Sequence, residues 1–73
     1  MTGPTRQGRV SNRVRALREA AGMTQAELAE RVNASRQTII AIEAEKYAPS
    51  LELAFRLAHC LDATFEEVFS YAD

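Results

Sequence analysis

The sequence predicts an all-α fold: a compact bundle of five short helices. Good helix formers dominate the 73 residues, alanine, leucine, glutamate and arginine foremost, and only three glycines and two prolines interrupt them. Five stretches open with serine or threonine ahead of apolar residues at helical spacing. No stretch competes as a strand. Thr38-Ile39-Ile40-Ala41-Ile42 is rich in β-branched residues, but it sits one turn after a cap and runs into Glu43-Ala44-Glu45-Lys46.

Residues 1–9, with Gly3, Pro4, Gly8 and two arginines, read as a flexible basic arm ahead of a domain spanning 10–73. Ser11 is the expected cap of the first helix, whose inner face is Val14, Leu17, Ala20 and Ala21 and whose end is Gly22. Thr24 caps the second helix. Glu27 three residues on completes a capping box, and Met23 with Leu28 forms a hydrophobic staple. That helix buries Leu28, Ala29 and Val32. Only Asn33 and Ala34 separate it from Ser35, the cap of a third helix facing inward through Ile39 and Ile42. Ser50 caps the fourth helix, with Leu51, Ala54, Leu57, Ala58 and Leu61 as its inward stripe. Thr64 and Glu67 form a second capping box for a short fifth helix bearing Phe65, Val68 and Phe69.

A chain this short buries only about 60% of its unfolded surface, so a partner subunit would add needed stability. One cysteine and one histidine, Cys60 and His59, leave no disulfide framework and no metal or cofactor site to expect. No apolar run is long enough for a membrane span or a signal-peptide core, which makes the cytoplasm the expected compartment. Nothing pairs His, Cys or carboxylates for catalysis, so no enzyme activity and no small-molecule ligand are expected. The net charge of −1 hides an asymmetry. Residues 1–23 carry +4, residues 24–46 carry −1 and residues 47–73 carry −4. A basic front half of this kind suggests a nucleic-acid partner.

The join between the second and third helices supports that suggestion. Two short capped helices two residues apart, with the small Ala29 where they cross, satisfy the needs of a helix-turn-helix. With Ile39 and Ile42 inward, the third helix presents Arg36, Gln37, Ile40 and Ala41 outward. Arginine and glutamine can pair two-pronged with guanine and adenine edges in the major groove. Ile40 can meet thymine methyls or pack on the Tyr47 loop. Gln25, in the first turn of the second helix, projects beside them, where backbone N–H groups suit a phosphate.

The run from Met23 to Phe69 resembles the phage-repressor-like (Xre) helix-turn-helix family. The pieces that carry the resemblance are TQAELA, SRQTI, IE followed by lysine, PSLELA and FEEVF, in order and at family spacing. The resemblance covers about residues 10–70. It implies double-stranded DNA as partner. Gln25 then matches a phosphate-contacting glutamine, and Ser35, Arg36, Gln37 and Thr38 open the recognition helix, with Ser35 and Thr38 on phosphates. Ala41 matches a base-reading position and Lys46 a phosphate contact. Arg18 and Glu43 match a partly buried ion pair tying the first helix to the third. Family members usually have glycine where this chain has Asn33, Glu45 and Asp62. Asparagine and aspartate tolerate a left-handed backbone, but glutamate does so poorly, so a strained or reshaped loop is expected after the third helix.

Glu52, Arg56 and His59 fall on one polar stripe and read as a solvated face, while Cys60 reads as a small buried hydrophobe. The fourth helix and the C-terminus carry apolar surplus, which points to a homodimer through Leu53, Phe69 and Tyr71. Its recognition helices would meet successive major grooves about 34–36 Å apart. The expected function is sequence-specific transcriptional regulation by operator occupancy. The alternative is an antitoxin-like, protein-binding helical module that sequesters a partner through the acidic back half.

Overall fold

The computed structural model describes residues 9–72. The elements run β1 (Arg9–Asn12), α1 (Val14–Ala20), α2 (Gln25–Arg31), α3 (Arg36–Glu43), α4 (Leu51–Cys60), α5 (Phe65–Val68) and β2 (Phe69–Ala72). Five helices are therefore present among the described residues, but the all-α expectation needs correction: β1 and β2 pair antiparallel, with Val10 opposite Tyr71, Ser11 opposite Ser70 and Asn12 opposite Phe69. Each strand has four residues, too few for an alternating pattern to register, and they meet from opposite ends of the chain.

Strand pairing displaces the start of the first helix. Ser11 lies in β1 with its hydroxyl 2.9 Å from that of Ser70, so it does not cap α1. Asn12 takes over. Its Oδ1 accepts from the Val14 N–H at 3.0 Å, and its Nδ2 donates to the Ile42 carbonyl at 2.9 Å. Residues 1–8 of the expected arm lie outside the described residues, and Arg9 opens β1.

The other caps form as the side-chain chemistry requires. Thr24 and Thr64 each complete a capping box with Glu27 and Glu67, and Ser35 and Ser50 accept from the N–H groups of Thr38 and Leu53. Glu27, held by the Thr24 backbone and hydroxyl, titrates below the usual glutamate range. The core gathers Val14, Leu28, Val32, Ile39, Ile42, Leu57 and Val68, all fully buried. Met23 is buried with Leu28, as the staple requires. Ala20 and Ala21 are exposed, and Arg18 is the second buried residue of α1.

Two apolar expectations fail at the edge of the core. Leu51, first in the inward stripe of α4, is 67% exposed, because none of the described residues covers the start of that helix. Phe69 leaves the helix for β2 and is only 7% exposed, its ring centroid 5.2 Å from that of Phe65 and tilted 40° to it. It therefore serves its own core and has little surface left for a partner. Leu53 packs against the core, half-buried, while Tyr71 is 65% exposed. Cys60 is half-buried, not fully. Glu52 and Arg56 pair at 2.6 Å on the solvated face with exposed His59. Among the described residues, no helix is long and apolar enough to cross a membrane.

Candidate nucleic-acid interface

The turn between α2 and α3 is set by a few short bonds. Asn33 takes a left-handed backbone, φ 59°, which reverses the chain at once. The N–H groups of Asn33 and Ala34 then reach back to the carbonyls of Glu30 and Ala29 at 3.2 and 2.9 Å. Ala29 is buried at the crossing, where a longer side chain would push the helices apart. Ser35 opens α3, its Oγ accepting from the Thr38 N–H at 3.0 Å and lying 2.8 Å from the Thr38 hydroxyl. Both hydroxyls keep capacity for a further partner.

Burial of Ile39 and Ile42 turns the opposite side of α3 to solvent. Arg36, Gln37 and Ile40 are exposed and Ala41 is half-buried beside them. Ile40, 39% exposed, remains available on this outward arc. Next to the arc is a shallow depression lined by Arg15, Arg18, Thr24, Gln25, Ala26 and Arg36. It brings Gln25 and Arg36, distant in sequence, to one place at the start of α2. Arg15 also lines it, a residue that the sequence reading passed over. The available signal was its position three residues before Arg18 in the basic front half.

A buried network holds this arrangement. Arg18 Nε donates to Glu43 Oε2 at 2.7 Å and Nη2 to Oε1 at 3.2 Å, a two-pronged pair whose side chains are 10% and 5% exposed. Arg18 Nη1 donates to the Met23 carbonyl at 2.8 Å. The Glu43 hydrogen bond holds the Arg18 guanidinium above its ordinary value against the opposing effect of burial. Gln25 Nε2 donates to the same Glu43 Oε1 at 3.1 Å, which fixes the glutamine side chain and leaves its second N–H free to donate. The expected Arg18–Glu43 tie is thus present, and it reaches Gln25 as well.

The loop after α3 keeps a left-handed residue even without glycine. Glu45 has φ 59°, and the Glu45 and Lys46 N–H groups cap the carbonyls of Ile42 and Ala41, each at 2.9 Å. Glu45 Oε2 accepts from the Asn12 N–H at 3.4 Å. The left-handed glutamate strains the loop, and Lys46 is exposed beside it, where it lines a groove with Arg9 and Tyr47.

The helix-turn-helix family pattern matches residues 14–68. An uncharacterized HTH-type transcriptional regulator of Methanocaldococcus jannaschii is 44% identical over 64 residues, covering 88% of this chain and 97% of that protein. Another, from Methanothermobacter thermautotrophicus, is 51% identical over 57 residues, covering 77% and 83%. Among solved structures, the restriction-modification controller protein C.AhdI from Aeromonas hydrophila superimposes with a TM-score of 0.70 at 31% identity, over 74% of this chain and 82% of that one. With its capped α2–α3 corner and these matches, the chain belongs to the helix-turn-helix family, in its phage-repressor-like (Xre) form.

Proposed function

We propose that this chain is a cytoplasmic, non-enzymatic regulator of transcription that binds double-stranded DNA sequence-specifically as a homodimer and acts by occupying its operator. One observation carries the reading. The outward arc of α3 adjoins a depression where Arg15, Gln25 and Arg36 converge, so base-reading and phosphate-holding groups share one face. In this reading Arg36, Gln37, Ile40 and Ala41 meet base edges. Gln25, Ser35, Thr38 and Lys46 hold phosphates and set the register. The relatives named as HTH-type transcriptional regulators support the same role. The carboxylates of α4 and α5 are repelled by phosphates, which orients the acidic half away from the duplex.

The test is binding to a duplex selected from random sequence, compared with unrelated duplexes. Arg36→Ala should cost about 1–3 kcal/mol on the selected site and much less elsewhere. Equal losses on both would make Arg36 a phosphate contact. Lys46→Ala should weaken every duplex alike and lower the salt slope by about one unit. An absent salt slope for the parent protein would favour the protein-binding alternative.

A further inference from the structure

We infer that a second copy of this chain docks by two-fold symmetry on the apolar depression between the Val10–Tyr71 strand pair and the start of α4; this surface rests on the dimeric reading above and specifies where the dimer forms. The depression is lined mainly by apolar side chains, among them Val10, Pro49, Leu51, Phe65 and Tyr71. Leu51 and Tyr71 stand at its edge about two-thirds exposed. The helical stripe that buries Ala54, Leu57, Ala58 and Leu61 runs straight on to Leu51, so the apolar face of α4 extends past the cover that the described residues supply. Of the six exposed large hydrophobic residues among those described, Val10, Tyr47, Leu51 and Tyr71 gather at this end. Clustering of that kind marks an interaction surface.

The charges select a second copy as the occupant. Val10 and Tyr71 also wall an adjoining groove, where Arg9 and Lys46 outweigh Glu45 and leave a net positive charge, whereas the first depression has Glu66 on its rim. The strand pair thus separates a basic flank from an acidic one. A two-fold axis through it lays the basic flank of each copy over the acidic flank of the other, a self-complementary arrangement. The exposed Leu51 and Tyr71 of each copy then enter the depression of its partner. None of Gln25, Arg36 and Gln37 lines either hollow, so these DNA-facing groups stay free, while Lys46 lines the second groove and lies at the margin of the contact. Asn12, paired with Phe69 in the sheet, holds the Ile42 carbonyl at the end of α3. The sheet that carries the dimer contact is therefore tied to the recognition helix, and the contact sets the angle between the two recognition helices.

Sedimentation of the full chain tests the surface directly. The parent protein should be dimeric at micromolar concentration. Leu51→Glu and Tyr71→Glu replace exposed side chains and should keep the helical circular dichroism of the parent while weakening dimerisation about 100-fold. Glu66→Arg should weaken it too, and adding Arg9→Glu to that variant should restore it. A parent that stays monomeric, glutamate variants that stay dimeric, or a charge swap that fails to restore pairing would each overturn the assignment. DNA binding is read separately. Tyr71→Glu should bind a half-site duplex as the parent does and lose about 100-fold on the full site. Loss of half-site binding by the parent itself would sink the DNA reading, while sedimentation would still decide the surface.

Discussion

The capping and turn bonds at the corner between α2 and α3 join residues no more than five positions apart, from the Thr24–Glu27 box to the Ala34–Ala29 return, and the longest tie between the two helices, Gln25 to Glu43, spans eighteen. The two strands meet across 59 positions, at the Ser11–Ser70 contact. Short-range bonds close small loops and lose little chain entropy, so the corner can organise before the rest. The strand pair can form only when the helices have already brought the chain ends together. One region is stabilised by its own sequence, and the other is a product of the packing around it.

Phe69→Ala should break the second region hardest, costing about 3–5 kcal/mol and chiefly speeding unfolding in a chevron experiment. Arg18→Ala should cost a similar amount, about 3–5 kcal/mol, because it leaves the Glu43 carboxylate buried without its partner; replacing both with Met and Leu should recover most of the loss on denaturant melting. Leu28→Ala, inside the corner, should cost about 2–5 kcal/mol but slow refolding instead. The comparison fails if Leu28→Ala leaves the folding rate unchanged and Phe69→Ala slows it. Glu45→Gly should raise stability by about 1 kcal/mol through release of the left-handed strain, with a smaller gain for Asn33→Gly, both read from thermal melts. The smallest effect is that of pH. The folded state holds Glu27 below the ordinary value near 4.3. Its contribution is therefore complete above that value and fades as pH falls through the lowered one. Glu27→Gln should remove that part of the acid sensitivity, and an unchanged acid titration of the melt would contradict the assignment.

What the sequence made legible follows the same division. Thr24, Ser35, Ser50 and Thr64 all cap as their spacing indicates, and Asn33 turns left-handed where two residues must reverse the chain. The outward set of Arg36, Gln37 and Ile40 follows from the inward pair Ile39 and Ile42. The missed features depend on distant partners. Ser11 looks like a cap until Ser70 lies opposite it and Asn12 replaces it. Leu51 looks like core until none of the described residues covers it, and Phe69 looks like surplus until it closes onto Phe65. Glu45 keeps the left-handed turn because two backbone bonds cap α3 there, whatever the local preference of glutamate.

The pairing of the first described strand with the last also has a consequence for biosynthesis. A ribosome releases Arg9 long before Phe69 to Ala72 emerge, so β1 leaves the exit tunnel with no strand to join. Asn12 cannot yet be fixed by its neighbour in the sheet, and the helix-turn-helix takes shape ahead of its frame. Phe69 to Ala72 then act as a latch. Only when they are delivered do the start of α1 and the end of α3 lock to one another, and a nascent chain stopped short of Phe69 exposes both.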